Sequence, residues 1–338
     1  MNTFLAKLNT TIAALALTLG MASTQAEEAN YILATASTGG TYYPVGVALA
    51  TLIKVKLQPT ENIGMSAINS AGSGENIRLM RENEAQFAIL QGLYGYFAAT
   101  GTGPLEKEGP QKELRSVTML WQNVEHFIAA ADAAKTGTID DFVALKGESV
   151  ALGQRNSGTI GSNIEILAGL GIDVEADYTL VEGGYGPSAE ALQNGQVKGI
   201  STPAGVPVGA VSQLLATMGD QAKLLNFTDE QMAAADGGRE LWTRYVIPAG
   251  TYPGQDTEVA TIAQPNFLAA RADVSEENVY LIVKTIYENL AFLQAIHPAT
   301  KAMAIEQAIT GLPLPLHPGA AKYYTEVGVQ IPERLIAK

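Results

Sequence analysis

The stretch ASTGGTYYPVG, residues 36–46, holds three glycines, five hydroxyl side chains and a proline, and carries no charge. Before it lies the short apolar run 31–36, of strand type. After it, Val45, Leu49, Leu52 and Ile53 recur at helical spacing, with Pro44 where a first-turn proline belongs. A strand that ends in a glycine loop opening a helix is the unit of a doubly wound α/β sheet, in which ligands bind beyond the carboxyl ends of the strands.

The same grammar continues downstream. Residues 63–68 read as a strand, 69–75 as a loop, 76–82 as a helix and 85–91 as a third strand. It then restarts: a strand at 149–152, the loop GQRNSGT at 153–159, a helix to about 168 stopped by Gly169-Leu-Gly171, a strand at 178–181, a helix at 188–194 and a strand at 197–201. The two units share a layout without repeating a sequence. Long β-prone runs follow at 241–247 and 259–270, the latter long enough to pass between two lobes. The last part reads as helices at 276–295 and 300–309 and one more after 319. We expect a two-lobed α/β clamshell, each lobe a mixed sheet flanked by helices, with 27–126 and 259–338 in one lobe and 127–258 in the other.

At 338 residues, two domains are the default, and 47% hydrophobic against 16% charged residues supplies sizeable cores. Residues 11–22 are apolar but too short to anchor in a bilayer. With Lys7 before them and small Thr24 and Ala26 at the −3 and −1 positions, residues 1–26 read as a secretory signal peptide cleaved before Glu27. We therefore expect a periplasmic, monomeric protein. The formal charge of −13, or −14 once Lys7 is removed, argues against a nucleic-acid partner. There is no cysteine, so no disulfide or thiol chemistry, and His126, His297 and His317 match no metal spacing; we expect no metal and no cofactor.

The glycine loops carry the site. A helix N-terminus offers unpaired N–H groups and a partial positive charge, so it holds an anion without a cationic side chain. In residues 38–41 the glycines let backbone approach a ligand, and the hydroxyls of Thr38, Thr41 and Tyr42 are expected to add donors. Residues 156–159 offer the same device from the second unit, and residues 73–76, beginning at Ser73, a weaker copy. Gln91 at a strand end and residues 202–205, with Thr202 and Ala204, are further candidate contacts. Each of these positions is equally well explained as an ordinary turn or cap. No nucleotide-binding glycine motif occurs, and Ser157 lacks the nucleophile elbow and base of a hydrolase, so we expect no enzyme.

STGGTYYPVG (37–46), GSGENIRLM (72–80), NSGT (156–159), IPAGTYPGQ (247–255) and LHPGAAKYYTEVG (316–328) resemble, in order, the TAXI family of extracytoplasmic solute-binding proteins of TRAP transporters. That resemblance implies a type II periplasmic-binding-protein fold. It also implies a small carboxylate ligand such as glutamate or 2-oxoglutarate, and delivery to a sodium-coupled membrane permease. By the same resemblance Thr38, Gly39, Gly40, Thr41, Tyr42, Ser157, Gly158 and Thr159 line the cleft. The chain departs from the family pattern at Ile160, where Arg is common after S-G-T, and at Gly92-Leu93, where S-D is common after Gln91. Both departures remove charge from the expected cleft. The other readings of these residues are a sensor subunit presenting its ligand to a membrane receptor, and an exported hydrolase.

Overall fold

The computed structural model describes residues 28–337, so the expected signal peptide, 1–26, lies outside the described residues. The chain opens with β1 (Ala29–Ala34), α1 (Tyr42–Glu61), β2 (Ile63–Ile68), α2 (Ser73–Arg81), β3 (Phe87–Gln91), α3 (Gly92–Thr100) and the long β4 (Leu114–Val124). β1 pairs parallel with both β2 and β3. Parallel neighbours need a crossover, and α1 and α2 supply it. The apolar stripe expected on α1 is the one it buries, with Val45, Leu49, Leu52 and Ile53 all in the core. Asn62, left-handed at φ 56°, ends that helix.

The second sheet and its helices are β5 (Phe127–Ala130), α4 (Asp140–Val143), β6 (Ser149–Ala151), α5 (Gly158–Gly169), α6 (Val174–Asp177), β7 (Thr179–Leu180) and α7 (Tyr185–Gln193). They are completed by β8 (Gly199–Ser201), α8 (Gly209–Met218), β9 (Ala222–Leu224) and α9 (Asp229–Asp236). The sheet has the order β7-β6-β8-β5-β9, parallel where β6 meets β7 and β8, antiparallel around β5. The chain then returns through β10 (Thr243–Ile247) and β11 (Val259–Arg271) to α10 (Glu276–Glu288), α11 (Leu290–Ile296) and α12 (Pro318–Glu326). β11 completes the first sheet by pairing antiparallel with β3, β4 and β10.

Three local expectations are corrected. α2 begins at Ser73 rather than residue 76, because Gly72 reaches φ 120° as its N-cap and the Glu75 carboxylate turns back to accept the Ala71 amide at 2.6 Å. The helix expected at 276–295 breaks at Asn289, where α10 and α11 diverge by 67° and the Asn289 side chain donates to the Thr285 carbonyl at 2.8 Å. Residues 300–309 form two 3₁₀ turns instead of a helix. Their Ala308 carbonyl accepts the Met119 amide of β4 at 2.7 Å, so this segment is docked along a strand. In addition, residues 92–100, for which no element is expected from the sequence, form α3, where Gly95 is a packing glycine whose Cβ would lie 2.2 Å from Pro313 Cγ.

Glu125 and His126 stand where the chain passes from β4 of the first sheet to β5 of the second, and both side chains are buried. The Val208 amide donates to the Tyr252 hydroxyl at 3.0 Å, and that hydroxyl lies 2.7 Å from His126 Nε2. With Nδ1 2.8 Å from the Val124 carbonyl, the consistent arrangement is Nδ1–H donating to the carbonyl and the tyrosine donating to Nε2. Burial lowers the His126 pKa to about 4, so the ring is neutral. Glu125 accepts from Trp242 Nε1 at 3.4 Å, and the Gln264 side chain is its second hydrogen-bonding neighbour. Burial pushes its pKa up to about 8.

Two outcomes follow for this joint. Tyr252→Phe leaves His126 Nε2 buried and unpaired, so it should destabilise the protein by roughly 1–3 kcal/mol in urea unfolding; a loss below the noise of that measurement would refute the relay. For Glu125, the unfolded chain gives up the proton near pH 4.5 while the folded chain holds it to about 8. Stability contributed by that proton is present below pH 4.5 and is lost as pH rises towards 8. Glu125→Gln removes this loss. Its melting temperature relative to the parent should climb between pH 5 and 8, and a flat difference across that range would contradict the assignment.

Candidate functional site

Between the lobes lies a narrow cleft, and the glycine loops of both units form its walls. Four helices start there: Tyr42 opens α1, Ser73 α2, Gly158 α5 and Tyr185 α7, and all four residues line the space. Gln91, the N-cap of α3, lines it too. The first amides of a helix have no intrahelical acceptor, and each helix start carries about half a positive charge. Among the described residues, no Asp, Glu, Lys, Arg or His belongs to the lining. The positive potential of this cleft is therefore a backbone property.

Of the residues singled out in the sequence, Gly40, Thr41, Tyr42, Ser73, Gln91, Ser157, Gly158, Thr159 and Ala204 come together in the lining. Three do not. Thr38 is exposed. Gly39 sits behind the wall, its carbonyl 3.4 Å from the Ala210 amide. Thr202 is fully buried at the joint, its amide donating to the His126 carbonyl at 3.1 Å. Tyr185, Gly183 and Gly184 were missed, although GGYGPS at 183–188 repeats the loop-to-helix grammar of TGGTYYP and could have been found by it. Asn123, at the end of β4, also lines the cleft and has no local sequence signal.

The loop at 156–158 holds the lobes together. Its three consecutive carbonyls each accept from the first lobe: Asn156 from the Glu75 amide at 2.9 Å, Ser157 from the Tyr94 hydroxyl at 3.1 Å, Gly158 from Gln91 Nε2 at 2.7 Å. Gly158 has to be glycine here, because its Cβ would stand 2.8 Å from both Gln91 Cδ and Ser73 Oγ. The Thr41 hydroxyl adds a fourth tie, donating to the Gly205 carbonyl at 2.9 Å.

The hydroxyls are not the donors expected from sequence. Thr41 donates to Gly205, Tyr42 to Asn266 Oδ1, and Tyr185 to the Pro203 carbonyl while 2.9 Å from Thr159 Oγ1. Burial holds the Tyr42 and Tyr185 phenols above their ordinary range, so both keep their protons. Ser157 Oγ accepts from the Ile160 amide at 3.1 Å, the ordinary capping bond of α5. Donors for an incoming anion are thus the amides and the Ser157 hydroxyl, which accepts from Ile160 and keeps its own proton to give.

Solved structures share this architecture at low sequence identity. MatC from Rhodopseudomonas palustris with bound malate aligns with a TM-score of 0.53 at 16% identity, covering 88% of this chain and 97% of that one. The periplasmic binding protein BugD aligns at 0.52 and 15%, covering 88% and 93%. A binding-protein component of an ABC phosphonate transporter from Pseudomonas aeruginosa aligns at 0.50 and 11%, covering 80% and 78%. These likenesses establish the periplasmic-binding-protein fold. Residues 33–328 match the NMT1-like family, and the chain belongs to that family.

Proposed function

We propose that this protein is the extracytoplasmic solute-binding subunit of a TRAP transporter. In this reading it captures a small organic anion, a dicarboxylate or acidic amino acid such as 2-oxoglutarate or glutamate, and delivers it to a sodium-coupled permease. It works in the periplasm, as a monomer, without chemistry of its own. The observation that carries the reading is the uncharged cleft into which four helix N-termini open. Such a site favours an anion over a cation or a neutral solute. The malate held by MatC, on the same fold, supports a carboxylate in particular. Gly40, Thr41, Tyr42, Ser73, Gln91, Ser157, Gly158, Thr159 and Ala204 are the proposed contacts. One lobe comprises 27–126 and 259–338 and the other 127–258, with β10 reaching across to pair with β11.

A thermal-shift screen of protein beginning at Glu27 against organic acids and amino acids tests this. A cognate anion at a hundred times its Kd should add about 2.7 kcal/mol of stability. No stabilisation by any acid, together with turnover of an ester, would replace the reading with a hydrolase. Small-angle scattering should show a smaller radius of gyration with the confirmed ligand, because a ligand bridging the lobes favours the closed form. An unchanged curve would mean that ligand binding does not close the lobes.

A further inference from the structure

The protons around the cleft are oriented by their partners. A carbonyl oxygen only accepts, so a hydroxyl bonded to one must donate. Tyr185 donates to the Pro203 carbonyl, which commits its single proton; in the 2.9 Å contact with Thr159 the threonine is therefore the donor. Thr41 is committed in the same way to Gly205. Thr41 and Thr159 thus have only lone pairs left for the cleft. An amide relay has the same consequence. The Gly158 carbonyl takes Gln91 Nε2, which fixes Gln91 Oε1 as an acceptor, and that oxygen takes Asn123 Nδ2 at 3.2 Å. Asn123 Oδ1 is left without a partner, on a lining residue only 1% exposed.

The cleft therefore combines two sets of groups. The amides that open α2 and α5 are donors, suited to an anion. Asn123 Oδ1 and Thr159 Oγ1 are acceptors, and they repel an anion. An unpaired buried acceptor is costly, so the occupant has to satisfy it.

We propose that the ligand is a small carboxylate that carries its own hydrogen-bond donor, a hydroxyl or an ammonium group. The carboxylate takes the helix amides while the donor takes Asn123 Oδ1 and Thr159 Oγ1. This rests on the anion-binding reading above and narrows it, favouring hydroxy and amino acids over oxo acids. A 2-oxo group would place its own lone pairs against those of the protein. Sites built to bond a donor discriminate strongly against analogues that lack it.

Calorimetric titration of the whole folded protein with matched sets decides the matter. The sets are alanine, lactate, pyruvate and propionate; aspartate, malate, oxaloacetate and succinate; and glutamate, 2-hydroxyglutarate, 2-oxoglutarate and glutarate. In the skeleton that binds best, the amino or hydroxy member should bind at least about tenfold tighter than the oxo and unsubstituted members, and which of the two wins identifies the donor. Thr159→Val should weaken the donor-bearing ligand about tenfold and leave the others within about twofold, with Thr159→Ser restoring the preference. Melting curves establish that each variant is folded. An oxo or unsubstituted acid that binds as tightly as its amino and hydroxy counterparts overturns the proposal while leaving the anion site standing. So does a Thr159→Val variant that weakens every acid equally. If no member of any set binds, the anion reading fails and this inference fails with it.

Discussion

Three successive carbonyls, those of Asn156, Ser157 and Gly158, bond to donors of the opposite lobe, and the rest of the site depends on that contact. It brings the start of α5 against the start of α2, so close that a Cβ on Gly72 would lie 3.5 Å from the Gly158 nitrogen. Two helix N-termini facing one another repel, and nothing charged in the lining offsets them. The chain has a formal charge of −13, yet no carboxylate among the described residues belongs to this lining. The arrangement is preorganised for a negative group between the helix ends.

The joint between the lobes obeys the same economy of charge. Glu125 and His126 are neighbours in sequence and both buried, yet burial pushes their pKa values in opposite directions, towards neutrality in each case. An ionised Glu125 would act on the Tyr42 and Tyr185 phenols of the cleft. Its protonated form leaves the field of the cleft to the backbone.

Much of this was legible in the sequence because strand, glycine loop and helix are local features. The spacing of Val45, Leu49 and Ile53 and the loops at 36–46 and 153–159 required no tertiary information. What could not be read depends on distant partners. Whether Thr159 donates or accepts is decided by Tyr185 and, beyond it, by the Pro203 carbonyl. Asn123 enters the site only because β4 ends at the cleft, and Gly95 is glycine because Pro313 presses on it. The break at Asn289 and the docked turns near Ala308 likewise reflect packing that overrides helical periodicity.

The run of carbonyls at 156–158 also bears on kinetics. The Asn156 carbonyl holds a backbone amide of α2, so the lobes cannot separate without moving the start of α5 away from the start of α2. Separation of the lobes then has to break these bonds together with whatever an occupant adds between the walls. The residence time of anything enclosed is governed by how often that loop lets go. An occupant that bridges the lobes more tightly lengthens that wait, so differences in affinity fall mainly on the rate of release.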